Sequence, residues 1–208
     1  MQDALIIKQP DPLAHIRQAC LDLECFETDP WAASRILDVE RFEADIVDPC
    51  AGPGVMTLAA RAAGLSVHAN DIFDYGFKLD SVGDFLEQEY EFGKGYYMNP
   101  PFSKTEAFVR HAMAQAASKI ICFQRFAWWE SDGREAFWDD APPNRVYVCG
   151  SRATCWRHDL PKNERGDRFD PVTGKKMAGT STAHAFFVWD EDNPTGKTDL
   201  LRLYKKRK

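Results

Sequence analysis

Past residue 40 the apolar positions come in short runs separated by polar, turn-forming stretches. Residues 44–48 read as a strand closed by the turn Pro49-Cys50-Ala51-Gly52-Pro53-Gly54. Residues 55–63, rich in Ala, Leu and Met, read as a helix stopped by Gly64. Further strands are predicted at 66–70, ending at Asp71, and at 96–98, ending at Asn99-Pro100-Pro101-Phe102. Ser103 and Glu106 have capping-box spacing and predict a helix running to about Ala117. The continuous apolar run 120–123 predicts a strand covered on both faces, and 145–149 and 185–189 predict two more. Upstream, Asp29-Pro30 predicts the N-cap and first residue of a helix to about Val39. Alternation of strands and helices predicts an α/β fold, its sheet mostly parallel with helices on both faces. No helical pattern separates the last two strands, which predicts an antiparallel pair at one edge. Trp128, Trp129, Phe137 and Trp138 recur at helical spacing and are read as packing residues.

Composition keeps this picture within globular bounds. At 208 residues, 44% hydrophobic and 28% charged, the chain suits a single domain over 1–208 with a substantial core. Thirteen Gly and 12 Pro exclude collagen-like and wholly disordered classes. No apolar run approaches the roughly 20 residues that span a bilayer, and Leu5-Ile6-Ile7 is too short for a signal-peptide core. A cytoplasmic protein without a membrane partner is expected. The 6 cysteines form no CxxC pair and no zinc spacing. Cys50, Cys122 and Cys149 lie in or beside apolar runs and read as buried free thiols. His15, His68, His111, His158 and His184 show no ligand spacing, so no metal is expected. The net charge of −6 divides into −11 over 1–150 and +5 over 151–208, which permits a local polyanion contact.

Two constellations carry candidate chemistry. The first is the turn from Asp48 to Gly54, set where a strand becomes a helix. Glycines there let backbone approach a ligand, and the helix start offers free amides. Asp71 ends the next strand, 19 residues after Gly52, where an acid in an open α/β sheet reaches ribose hydroxyls. Thr57 stands where a dinucleotide fingerprint wants a small residue. Asp48 beside the turn would repel a pyrophosphate and suits a cationic ligand, which fits the ammonium and sulfonium of S-adenosylmethionine.

The second is Asn99-Pro100-Pro101-Phe102. Two prolines carry the chain out of the sheet in a stiff turn and fix Asn99 at the ligand-binding edge. An amine conjugated with a ring is a poor nucleophile. The Asn99 side-chain oxygen and the Pro100 carbonyl offer two acceptors for its hydrogens, and Phe102 offers a ring for a base to stack on.

With these motifs the chain resembles S-adenosylmethionine-dependent amino-methyltransferases of nucleic acid bases, especially phage-type adenine-N6 DNA methyltransferases. Asp48 to Gly54 resembles their cofactor motif, with Pro49, Gly52 and Gly54, and Asn99 to Phe102 their catalytic motif. Thr28-Asp29-Pro30-Trp31 resembles the segment that closes over the methionine moiety, as part of an N-terminal helical segment over 1–40. Asp71, followed by Ile72, matches the ribose-binding acid, and Asp84-Phe85 the pair that contacts the cofactor adenine. The resemblance spans most of residues 26–205. It implies a Rossmann-like methyltransferase fold, S-adenosylmethionine as cofactor, DNA as partner and transfer to adenine N6, in a bacterial or phage-infected cell. Asp29 intervenes between Thr28 and Pro30, where the family often has Thr-Pro. Only 27 residues lie between Asp71 and Asn99, too few for a sizeable target-recognition domain, which implies short or relaxed sequence specificity.

The stretch 156–183 lacks hydrophobic periodicity and holds Arg157, Lys162, Arg165, Arg168, Lys175 and Lys176, a candidate nucleic-acid contact. Lys205-Lys206-Arg207-Lys208 is a basic end. RNA as substrate, or cytosine N4 or guanine N2 as target atom, stays open on these motifs, as do a protein glutamine amide and a non-catalytic nucleic-acid-binding protein.

Overall fold

In the computed structural model the described residues are 13–43, 45–91, 95–179, 181–190 and 197–205. Leu5-Ile6-Ile7 and residues 206–208 of the basic end lie outside them. The central sheet contains β2 (Ile46–Asp48), β3 (Val67–Asp71), β4 (Ser81–Val82), β5 (Gly95–Met98), β6 (Lys119–Arg125), β7 (Arg145–Cys149), β9 (His184–Asp190) and β10 (Asp199–Leu203). Their order is β10-β7-β9-β6-β5-β2-β3-β4. All pairings are parallel except those of β9 with β6 and β7. Helices α2 (Pro30–Ile36), α3 (Val55–Ala62), α4 (Thr105–Ala114) and α5 (Glu135–Asp140) cover the sheet, and α1 (Ala14–Asp22) precedes it. β1 (Phe26–Thr28) and β8 (Cys155–Arg157) form a separate antiparallel pair.

The period of two along each strand divides the apolar residues between the two faces. Ile46, Tyr97, Ile121, Phe123, Tyr147 and Phe186 pack with Ala32, Ala33 and Ile36 of α2 and Met56 and Ala60 of α3. Val47, Tyr96, Met98, Ile120, Cys122, Val146 and Phe187 pack with Phe108, Val109 and Ala112 of α4 and Phe137 of α5. This is the expected α/β arrangement with helices on both faces. Trp128 and Phe137 are buried in the second cluster, with Trp129 and Trp138 against it. No helix among the described residues is long and apolar enough to cross a membrane.

Several local expectations need amendment. The antiparallel pair of β7 and β9 forms, but β10, unforeseen, adds parallel to β7 beyond it. The capping box at Ser103 does not form: Ser103 N and Oγ both donate to Glu24 Oε2 at 2.9 Å, and Glu106 pairs with Arg110. The helix therefore starts at Thr105, and it ends at Ala114. Asp29 caps α2 through its backbone carbonyl, while its carboxylate accepts from Thr154 N and Oγ1. The stop at Gly64 stands, with φ +85°.

The chain enters the middle of the sheet at β2, builds outward through β3 and β4, then returns to β5 on the other side. That reversal opens a crevice at the carboxyl ends of β2 and β5. The opposite end is fastened by Glu40, 4% exposed, which accepts from Arg145, from Tyr147 Oη at 2.8 Å and from Lys119 Nζ at 3.3 Å. Asp190 shares Arg145 at 2.7 Å. Removing one partner of a buried ion pair leaves the other charge uncompensated. Glu40→Ala should lower stability by about 3 kcal/mol, at the low end for such losses because Asp190 keeps its hold on Arg145. Denaturant titration checks this, and a loss near zero would make the cluster ornamental.

Candidate active site

The turn after β2 is built on two glycines in the left-handed region, Gly52 at φ +54° and Gly54 at φ +86°. A Cβ on Gly54 would lie 2.3 Å from the Phe77 ring, so only glycine fits there. The turn's own amides are largely committed. Gly52 N donates to Asp71 Oδ2 at 2.7 Å, and Gly54 N donates to the Ala51 carbonyl at 2.8 Å. Asn70, buried at the end of β3, donates to the carbonyls of Pro49 and Gly83, tying the turn to the Asp84 segment. Asp84 accepts from Leu86 N at 3.0 Å and starts the single 3-10 turn that carries Phe85.

These elements floor a cleft of about 890 Å³, counted out to its open mouth. Its roof is the segment 22–28, the end of α1 and all of β1. Of the expected cofactor residues, Thr28, Pro49, Gly52, Asp71, Ile72, Asp84 and Phe85 line it, together with Asn99 and Pro101. The cleft carries five carboxylates, Asp22, Glu24, Glu27, Asp71 and Asp84, against one cation, Lys104. Burial pushes the Asp71 carboxyl up to about 6, against the pull of the Gly52 and Phe73 amides that it holds.

Asn99 is held in the cleft lining by its own amide. Its Nδ2 donates to the Phe26 carbonyl at 2.8 Å and to Thr28 Oγ1 at 3.0 Å, with Cys155 Sγ at 4.0 Å. A backbone carbonyl only accepts, so these partners fix which end of the amide is nitrogen. Oδ1 is left without a donor among the described residues. Pro100 is buried behind it.

Other expected residues stand elsewhere. Asp48 is wholly buried beneath the turn, its Oδ2 accepting from Thr57 Oγ1 at 2.7 Å and its Oδ1 without a partner. It does not face the cleft, and Thr57 is there to hold it. Gly54 shapes the turn rather than lining the cleft. Pro30 is exposed and Trp31 packs against the α2 side of the core, so neither closes over the cleft. Phe102 stacks on Phe26 with centroids 5.3 Å apart and carries the Arg125 guanidinium at 4.4 Å, which makes it part of the roof's support.

The basic stretch is largely neutralised from within. Arg157 pairs with Asp159, Lys162 and the buried Arg168 with Glu27, and Lys176 with Asp167. His158 also meets Glu27, at 2.6 Å. Glu27 thus straps the loop onto β1. Burial works against its ionised form, but His158, Arg168 and Lys162 outweigh that and hold it below the usual carboxylate range. Arg165 and Lys175 are exposed and make no carboxylate contact within ion-pair distance among the described residues, although the Arg165 charge helps hold Asp167 below the usual carboxylate range.

A cofactor-closing segment over 1–40 was expected, but the short strand that forms the roof and the other residues that line it were not. Leu23, Glu24, Cys25 and Phe26 line the cleft, as do Cys50, Tyr75, Ser103, Lys104 and Phe108. A three-residue strand whose partner lies some 130 positions away leaves no local pattern. Cys50 and Lys104 adjoin motif residues, and that adjacency was the available signal. Among the described residues no group of three or more His, Cys, Asp or Glu is placed to hold a metal.

No family model matches the chain, and no curated protein matches it in sequence. Solved structures resemble it in fold. One, from Pyrococcus horikoshii and assigned provisionally as an RNA methyltransferase, has 16% identity and a TM-score of 0.49, over 76% of this chain and 79% of that one. A SAM-dependent O-methyltransferase from Thermotoga maritima has 15% identity and a TM-score of 0.44, over 77% and 64%. The human methyltransferase 10 domain containing protein has 13% identity and a TM-score of 0.40, over 74% of each. At such identities and scores they decide neither cofactor nor substrate.

Burial pushes the Asp48 carboxyl up to about 7, with the Asp71 charge acting the same way against the Thr57 bond. A carboxyl raised on folding contributes stability that is fully present below its unfolded value of about 4 and lost as pH rises through its folded value. Asp48→Asn removes that loss. Its stability relative to wild type should rise between pH 4 and about 7 and stay level above, in urea titrations across that range. A difference constant with pH would overturn the burial account.

Proposed function

We propose that this chain transfers the methyl group of S-adenosylmethionine to the N6 amino group of adenine in DNA. The observation that carries this is the hold on Asn99, a residue of the cleft lining: its nitrogen is committed to Phe26 and Thr28, and its oxygen is left without a donor among the described residues.

The cleft suits the cofactor on chemical grounds. Its glycine amides are occupied by Asp71 and Ala51, which leaves only the first-turn amides of α3 for an anion and so weakens the cradle a pyrophosphate would need. Its lining is acidic, which favours a ligand bearing an ammonium and a sulfonium over a dinucleotide. Asp71 would accept ribose hydroxyls with the lone pairs that the amides leave free, and Asp84 and Phe85 would take the adenine. When bound, S-adenosylmethionine supplies a methyl group on a positively charged sulfur, which leaves as a neutral thioether.

The rest falls to the protein. Asn99 Oδ1 would accept a hydrogen bond from one N–H of the target amine and the Pro100 carbonyl from the other. After the C–S bond breaks and the C–N bond forms, the cationic nitrogen releases one proton to water. Both acceptors strengthen their bonds as positive charge develops on the nitrogen, so they stabilise the transition state more than the ground state. The prolines and the β1 clasp hold Asn99 in place beforehand, which removes a positioning cost. A target amine paired inside a duplex has to leave the stack to reach a recessed acceptor, so the base is flipped or taken from a single strand. The resemblance of the Asn99 to Phe102 motif to phage-type enzymes favours adenine in DNA.

The test is nucleoside mass spectrometry after incubation with S-adenosylmethionine, with unmethylated DNA and unmodified RNA in parallel. N6-methyladenine should appear in DNA and fall by at least about 100-fold in Asn99→Ala, which also releases Phe26 and Thr28 and so weakens S-adenosylhomocysteine binding. Product in RNA alone would change the substrate, and product in neither would move the reading to a protein amide or a non-catalytic role. Cofactor affinity should also weaken as pH falls through about 6, where Asp71 gains its proton and loses an acceptor. Calorimetry with S-adenosylhomocysteine between pH 5 and 8 reads this, and Asp71→Asn should flatten the profile.

A further inference from the structure

Four of the six cations in the basic stretch already face carboxylates. Beyond the exposed Arg165 and Lys175 of that stretch and Lys104 in the cleft lining, a polyanion presented to Asn99 would meet any cation on the carboxyl edge of the sheet. Arg125 is such a cation. It ends β6, and the parallel register sets Met98 beside Cys122, so Asn99 follows beside Phe123 and Arg125 stands two residues further out. Its side chain is exposed and has no carboxylate partner among the described residues. Its guanidinium lies over the Phe102 ring, 4.4 Å from the centroid, and Phe102 in turn stacks on Phe26, whose carbonyl holds Asn99.

The neighbouring histidine does not share the charge. His184 stacks on Phe123 at 5.2 Å, and burial pushes it down to about 4, with the Arg125 charge adding to that effect. Arg125 thus keeps a lasting positive charge at the end of β6. A guanidinium lying on an aromatic ring has its plane set in advance, while its N–H edge remains open to fork two oxygens.

We infer that Arg125 binds the backbone phosphate of the nucleotide whose base is presented to Asn99. This rests on the nucleic-acid reading above and names the contact by which the substrate is held in register. Phe102 then serves as the platform for Arg125 and orients the phosphate rather than only the base.

The experiment measures binding of a short adenine-containing single-stranded DNA to the full chain, in the presence of S-adenosylhomocysteine, over a range of salt concentrations. Arg125→Ala should weaken binding roughly tenfold and reduce the log–log salt slope by about 0.7, the value for one phosphate on a single strand. KM for DNA should rise while kcat stays within about threefold, and thermal unfolding should be unchanged. Arg125→Lys should restore the slope but only part of the affinity, because a lysine keeps the charge and loses the fork. An unchanged slope in Arg125→Ala, with wild type binding and methylating DNA, would overturn the role of Arg125 and leave the enzyme reading standing. Failure of wild type to bind or methylate any nucleic acid would overturn both.

Discussion

The clasp of Asn99 on β1 is the contact on which the site depends. β1 and β8 are three residues each, and an isolated two-stranded pair of that length does not hold together in water. It persists because Asn99 donates to Phe26 and Thr28 from the sheet below, Glu24 reaches Ser103 across the mouth, and Glu27 gathers His158, Lys162 and Arg168. The same amide that holds the roof keeps an oxygen that no donor among the described residues occupies. Holding the roof and leaving the acceptor free are one event, and the stiffness of Pro100 and Pro101 matters because an error in either spoils both.

The interior of the cleft follows from how the first turn spends its donors. A glycine-rich turn before a helix is an anion cradle only while its amides are free. Here Asp71 takes Gly52 N, and the turn closes on itself through Gly54 N. Once those donors are used, the nearby carboxylates dominate and the preferred ligand changes sign. Asp48 lies beneath the turn. Fully buried and hydrogen-bonded by Thr57, its carboxyl is pushed up to about 7, so it shapes the turn from below and carries its full charge only above neutral pH.

Strands and their motifs were legible because each is a local event. Apolar runs such as 120–123 and 145–149 need no partner to be recognised, and Asn99-Pro100-Pro101-Phe102 breaks a strand wherever it occurs. β10 was missed because Leu200 and Leu201 face outward and only Leu203 is buried, so burial left no alternation to detect. The capping box at Ser103 failed for a related reason: a carboxylate 79 positions upstream competes for its hydroxyl and amide. Asp48 was placed correctly at the strand end but on the wrong side of the backbone. Period-two alternation gives the face only when a strand is long enough, and β2 has three residues, all buried.

Charge was the least legible property, and the reason is physical. Counting Lys and Arg along 156–183 measures density on the chain, whereas a ligand meets the potential left after folding. Glu27 lies 135 and 141 positions from Lys162 and Arg168, yet it pairs with both. The apparent basic patch is thus a fastening for the acidic cleft's roof, and an acid in one segment accounts for the cations of another. Arg125 escapes this pairing because its neighbour is a ring and not a carboxylate. An aromatic face orients a guanidinium without cancelling its charge, so a cation that a tally of 26 basic residues would pass over keeps its full reach toward a phosphate.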